Sequence, residues 1–251
     1  MFMRLVQVRV KTGALEKLQQ LYNERVIPAL RQVKGCFYAG FMQNSHVPDE
    51  CISMTLWESQ EDAVAYEKSG VFENLLNETR PYLSESSDWK IQLSQDLTLE
   101  YVPVPEEPEV KMYSVTAQSN VPAFPTGSSP LWLRTVALKI RPGRLEEFRR
   151  LYKERIMPEL HKVKGCRYVY LTESAQKQNE VISVTVWDSK HDAENYEHSG
   201  LYERLVDSIK HTLSELFQWK MELEKEKGKQ AATSEDLTVE HYDVIVGKTL
   251  K

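Results

Sequence analysis

Hydrophobic and polar residues alternate at the start of the chain. LVQVRV, Leu5 to Val10, sends every second side chain to one face, the pattern of a half-buried strand. Gly13 makes a turn, and the period then changes. Leu18, Leu21, Tyr22 and Arg25 fall at i, i+3, i+4 and i+7, which predicts an amphipathic helix. Pro28 breaks or kinks that helix and starts one further turn, and Gly35 ends it. A second strand begins at Cys36, and a third is ISMTLW, Ile52 to Trp57. Ser59 with Asp62 has the form of a capping box, with Asp in place of Glu. The helix it opens carries Ala63 and Tyr66, breaks at Ser69-Gly70 and resumes through Phe72, Leu75 and Leu76. DLTLEYV, from Asp96, reads as the last strand. The order β-α-β-β-α-β is ferredoxin-like, an antiparallel sheet with both helices on one face.

The same pattern is then written a second time. VKGCFYAG from Val33 meets VKGCRYVY from Val163, and LWES from Leu56 meets VWDS from Val186. At an offset of 130, roughly 35 of the 88 positions from Met3 to Lys90 are identical without a gap. The strand TVALKI runs from Thr135 to Ile140, the helix stripe is Phe148, Leu151, Tyr152 and Arg155, and the last strand is DLTVEHY from Asp236. A polar insertion, EKEKGKQAATSE, precedes that strand. We therefore expect one copy over 1–102 and a second over 131–251. Residues 103–130, with six prolines, read as an extended linker, parts of which (Met112, Tyr113, Val115, Phe124) lie against a domain. The third strand is apolar or bulky on both sides: Ile52, Met54 and Leu56 on one, Ser53, Thr55 and Trp57 on the other. Covering both calls for a partner sheet, which the fused copy supplies. The expected fold is α+β: tandem ferredoxin-like domains forming an intramolecular dimeric barrel, with the pairing favoured by high effective concentration.

Composition narrows the function classes. The 251 residues carry a net charge of −5 with the signs interspersed, which argues against a nucleic-acid groove. No apolar run has the length of a membrane span, and the first residues alternate like a strand and lack the apolar block of a signal peptide. We expect a cytoplasmic protein. Cys36, Cys51 and Cys166 have no metal-ligand spacing and read as small buried hydrophobes. The histidines do not repeat, and none pairs at HxxxH spacing, so no metal site is expected. His198 beside Tyr196 is the one to examine if only the second half is catalytic. No Gly-rich phosphate loop and no Gx-Ser-xG elbow appears, which disfavours nucleotide cofactors and serine hydrolysis.

The sequence GC-x-Y after the first helix, the strand ending in W-[ED]-S-x-x-D-A and then Y-E-x-S-G-[VL]-[FY] occur in order and twice. In these motifs the chain resembles the antibiotic biosynthesis monooxygenase (ABM) superfamily. The resemblance implies the dimeric α+β barrel. It also implies a monooxygenase that needs no cofactor, with a small aromatic, phenolic or quinol-like compound and molecular oxygen as its partners. The superfamily also holds haem-degrading members, with an Asn, Trp and His triad. Those positions fall here on Val6 and Val136, Tyr66 and Tyr196, and Leu76 and Val206, which disfavours haem degradation because Leu and Val cannot bind iron. The alternative is a binding or scaffolding module of the same fold without chemistry. Further self-association of the internal pseudo-dimer stays open.

The pocket of such folds lies between sheet and helices, and polar-tipped aromatics and one arginine could line it. Arg25 and Arg155 fall near the middle of the helix stripe. There an arginine reaches solvent along its stem, pairs with a carboxylate such as Glu58 or Asp188, or anchors a phenolate, carboxylate or quinol oxygen. Tyr66 and Tyr196 face the sheet if Ala63 and Ala193 do. Each is either a core tyrosine bonded to backbone or a proton relay for oxygenation. Trp57 and Trp187 are packing anchors or flat walls for an aromatic ligand. Tyr22 and Tyr152 are further substrate-binding candidates, with Tyr38 and Tyr168 behind them. Trp89 and Trp219 read as structural or as part of the domain contact.

Overall fold

The computed structural model describes residues 1–93, 99–105, 108–118, 131–214 and 237–250, with 85–93, 99–105 and 237–238 described in their backbone. Phe124, Asp96, Asp236, Trp219, the side chain of Trp89 and the polar insertion at 224–235 lie outside this description. In the first half, strand β1 (Phe2–Arg9) leads into α1 (Leu15–Leu21), a π-helical turn (Tyr22–Val26) and α2 (Ile27–Arg31). Strands β2 (Cys36–Asn44) and β3 (Glu50–Trp57) follow, then α3 (Gln60–Lys68) and α4 (Val71–Thr79). A hairpin of β4 (Glu85–Leu93) and β5 (Leu99–Pro105) comes next, and then β6 (Glu109–Gln118). The second half repeats the core of this order as β7 (Trp132–Lys139), α5 (Leu145–Leu151), a π-turn (Tyr152–Ile156), α6 (Met157–Lys162), β8 (Cys166–Ser174), β9 (Glu180–Trp187), α7 (Lys190–His198) and α8 (Leu201–Ile209). Strand β10 (Leu237–Thr249) ends it.

The strands close into one antiparallel barrel in the order β1-β3-β2-β10-β7-β9-β8-β6. This is the intramolecular barrel that the repeat predicts, but its seams differ from the expected ones. DLTLEYV does not supply the first half's fourth barrel strand, because its described part pairs with β4 in the separate hairpin. The fourth strand is β6, inside the stretch read as a linker. It pairs with β1 of its own half and β8 of the other. Its counterpart β10 pairs with β7 and crosses to β2. Prolines hid β6: they flank it, while its own residues EVKMYSVTAQ hold none and alternate.

Alternation along β1 and β3 divides the protein into three cores. Met3, Leu5, Ile52, Met54 and Leu56 point into the barrel, where they meet Leu133, Val184 and Val186 of the other half. Phe2, Cys51 and Trp57 point outward, under the first half's helices. The second half repeats that outer layer with Trp132, Val136, Val181 and Trp187. Each fully buried aliphatic side chain contributes about 1.5–3 kcal/mol, so a half without its partner would lose the whole inner layer. No helix among the described residues is long and apolar enough to cross a membrane.

Two corners hold each helical layer on its sheet. Ser59 Oγ accepts from the Asp62 amide at 3.1 Å, the N-cap bond that the sequence predicts, and donates to the Asp62 carboxylate at 2.7 Å, so the carboxylate takes the Ser59 hydroxyl. α2 ends at Arg31 with Gln32 as its C-cap, and Gly35, expected to end it, sits in the turn into β2 at φ +79°, where a Cβ would come within 2.5 Å of the Asp62 carboxyl carbon. Gly13 has a similar φ of +77° but open space around it. Gly35→Ala should therefore cost about 2–3 kcal/mol and Gly13→Ala about 1 kcal/mol, since only the first adds a steric clash to the left-handed backbone penalty. Urea denaturation of the two variants checks this, and equal losses would contradict the packing argument.

Candidate active site in the sheet–helix crevice

The expected arginine anchor fails, for a physical reason. In an unbroken α-helix Arg25 would share the face of Leu18, but the Ile27 amide bonds to the Tyr22 carbonyl, an i→i+5 bond that inserts one residue into the turn. The buried phase slips from 25 to 26: Val26 is buried, while Arg25 is 62% exposed and pairs with Glu78 at 2.9 Å, not with Glu58. The second half makes the same slip, with the Met157 amide bonded to the Tyr152 carbonyl, Ile156 buried and Arg155 exposed.

Another arginine occupies the crevice. Arg4 sits on β1 with 2% of its side chain exposed, and its Nε and Nη2 donate to Glu67 Oε1 at 3.1 and 3.0 Å. Its guanidinium lies 4.0 Å from the Phe72 ring centroid and 5.7 Å from that of Tyr66, in cation–π range. Beside it is an apolar cavity of about 70 Å³, lined among others by Tyr22, Phe41, Tyr66, Phe72 and Leu76. The signal for Arg4 was present in the sequence. An arginine interrupts an apolar strand and recurs as Arg134, and its partner Glu67 recurs as Glu197.

The tyrosines and tryptophans take distinct places. Tyr66 lines the cavity and packs on Trp57 at 5.1 Å between ring centroids. Its hydroxyl makes no hydrogen bond among the described residues. Tyr22 also lines the cavity, but its hydroxyl is engaged, 2.9 Å from Ser53 Oγ and 3.2 Å from the Gly40 carbonyl. Burial raises the pKa of both phenols above the ordinary value, so each stays protonated and serves as a donor rather than a base. Trp57 is fully buried behind Tyr66 and is not part of the cavity wall; its indole donates to Thr55 Oγ1 at 2.9 Å. Trp187 and Thr185 repeat that bond. Tyr38 faces the barrel interior, on the opposite side of the sheet.

The second half carries the same frame with different filling. Tyr152 bonds Ser183 at 2.6 Å, and Tyr196 packs on Trp187. Phe148 replaces Leu18, Ile156 replaces Val26, Tyr202 replaces Phe72 and Ile209 replaces Thr79, each a bulkier or more apolar filling. Arg134 is buried; its Nε donates to Glu197 Oε1 at 2.6 Å, and its guanidinium lies 4.5 Å from the Tyr202 ring centroid. Glu197 also accepts from His241 Nε2 at 3.0 Å, and His241 Nδ1 lies 3.3 Å from Nε2 of the exposed His46. His241 and His46 come from different halves, so no sequence spacing announced this chain. His198 is exposed and bonds only within its own helix. Among the described residues no group of three or more His, Cys, Asp or Glu side chains is placed to hold a metal ion.

With this geometry in hand, comparison with known proteins places the chain. The sequence profile of the antibiotic biosynthesis monooxygenases (ABM) matches residues 1–77 and again 133–208. That is more than half of the chain, and the protein belongs to this family through both of its halves. Among solved structures, it is similar to a candidate monooxygenase of Fusobacterium nucleatum subsp. nucleatum (10% identity, 99% of this chain and 94% of the other covered, TM-score 0.65). It is also similar to one from Lactobacillus acidophilus (7% identity, 99% and 96% covered, TM-score 0.63) and to an anthrone oxidase-like protein (12% identity, 99% and 93% covered, TM-score 0.60). At these identities the likeness is one of fold. No curated protein matches the chain in sequence.

The second-half cluster has a pH signature. Burial alone would raise the Glu197 pKa, but the hydrogen bond from His241 and the charge of Arg134 override it and bring it down from 4.5 to about 2. A carboxylate depressed on folding contributes stability that is complete above pH 4.5 and is lost as pH falls toward 2. At neutral pH, Glu197→Gln should cost about 2 kcal/mol, less than a fully buried pair because the side chain keeps 23% of its surface exposed. Urea midpoints of wild type and variant should converge as pH falls from 4.5 to about 2; parallel curves would show that Glu197 is not the titrating group.

Proposed function

We propose that the first half's crevice is an oxygenase site for a small phenol or quinol, with molecular oxygen as the second substrate. The observation that carries this reading is the buried Arg4 beside an apolar cavity and a protonated Tyr66, in a chain of the ABM family. Oxygen attacks electron-rich carbon, and a phenolate is electron-rich. A guanidinium in a dry pocket lowers the cost of forming that phenolate, and rings on either side exclude water. For a ring C–H of a hydroquinone the reaction balances without added reductant. One oxygen atom becomes a ring hydroxyl, the hydroquinone is oxidised to the quinone, and the second oxygen atom leaves as water. Arg4 takes the anchoring role first expected of Arg25, and Tyr66 donates a proton to the reduced oxygen.

The cavity is about half the size of the ~150 Å³ apolar cavity that holds benzene in a protein core. A ring therefore enters only when Phe72 and Leu76 move. Both sit on α4, which is joined to α3 through the left-handed Gly70. The small volume also favours the second reading, a module whose crevice supports the barrel and performs no chemistry.

Oxygen uptake with a panel of phenols and quinols, corrected for protein-free autoxidation, separates the two. Arg4→Gln should lower kcat/KM by about 10²–10³-fold and Tyr66→Phe by at least about 10²-fold, while Tyr196→Phe changes it less than about twofold. Uptake no higher than the protein-free rate with every compound, or variants as fast as wild type with an unchanged melting temperature, would sink the oxygenase reading.

A further inference from the structure

The middle of the barrel is packed solid by the apolar side chains of β1, β3, β7 and β9. One end opens into a cavity of about 460 Å³, within the range of small-molecule sites. It is separate from the crevice: β1 presents Arg4 and Val6 to the crevice and Leu5 and Gln7 to the barrel cavity. Leu5, Ile52, Ala137 and Ile182 make its apolar floor.

Strand register shows how the repeat built the walls. Met3 pairs with Tyr113 and Leu133 with Tyr242, so the two tyrosines are equivalents facing one cavity. Leu5 pairs with Lys111 and Thr135 with Glu240, so lysine and glutamate stand at equivalent places. A homodimer puts the same residue at both positions; a fused chain is free to differ. Lys111 is occupied, 3.1 Å from Glu109 and 3.2 Å from Gln7. Glu240 accepts only from the Tyr242 hydroxyl, at 2.6 Å, and has no cationic partner among the described residues. The Tyr113 side chain is 6% exposed and lines the cavity, yet its hydroxyl makes no hydrogen bond among the described residues. Burial, and then the charges of Glu180, Glu109 and Glu240, raise its pKa, so the field at this hydroxyl favours a cation. Lys139 and Lys177 are at the exposed rim, the latter 3.8 Å from Glu180.

We infer that this barrel-end cavity binds a small organic amine, with its ammonium on Glu240 and Tyr113 and its apolar body on Leu5, Ile52, Ala137 and Ile182. An ammonium carries three donors and no acceptor, so it bonds a carboxylate and a phenol oxygen together. A carboxylate ligand would meet Glu240 with like charge, and an alcohol leaves Glu240 without a countercharge. The site stands apart from the oxygenase reading and survives its failure.

Calorimetric titration at pH 7 with short alkyl- and arylalkylamines, each beside its alcohol and carboxylate counterpart, tests the assignment. The best amine should bind at least about tenfold more tightly than its alcohol, and Glu240→Gln should erase that preference. Tyr113→Phe should weaken it several-fold, with Arg4→Gln as a variant that leaves it unchanged. If Glu240→Gln fails to fold, Tyr113→Phe carries the test. No heat with any amine at millimolar concentration, preference for the carboxylates, or affinity indifferent to both variants overturns the proposal.

Discussion

Every strand pair that joins the two halves answers one constraint: each sheet is apolar on both faces, and its own helices cover only one. Met54 and Leu56 of β3 lie on the bare face, and without a second sheet they would meet water. The partner sheet lies in the same chain, and the fourth strand of each half locks it in place by hydrogen-bonding to both sheets. Closing the barrel removes the free edges of both four-stranded sheets. It also puts the inner layer and the barrel-end cavity on the pseudo-symmetry axis, where residues from both halves meet.

The crevice depends on a smaller constraint inside the first helix. One extra residue in the Tyr22–Val26 turn rotates the charged side of the helix outward and leaves Tyr22 and Val26 against the sheet. The arginine in the crevice therefore comes from the strand. Its position there is more exact, because β1 is paired on both sides and Glu67 holds the guanidinium from α3. The recurrence of the π-turn, the Arg–Glu pair and the Trp–Thr bond in both halves shows one frame used twice. The filling differs: the first half keeps smaller side chains around its arginine, and the second fills the space and ties its glutamate to His241.

Much of the fold was legible in one sequence because period and repetition are local properties. Alternation placed β1 and β3, Gly70 marked the break between α3 and α4, Ser59 with Asp62 marked a helix start, and the offset of 130 implied two cores sharing a third. Tyr22 and Tyr66 were singled out by the same local logic, and both line the crevice. Family membership followed from motifs that are themselves turn and corner residues.

Tertiary structure decided what depends on hydrogen-bond register and on meetings between distant segments. A helical wheel assumes uniform turns, so it could not see the π-turn that exposes Arg25 and Arg155. Strand pairing is non-local, so two alternating segments competed for the fourth barrel position, and only packing chose Glu109–Gln118 over the segment that pairs with β4. The chain His46, His241, Glu197, Arg134 and the facing pair Tyr113 and Tyr242 join residues far apart in sequence. No spacing encodes such meetings; they exist because the closed barrel brings β2, β7 and β10 side by side and sets β6 and β10 around one cavity.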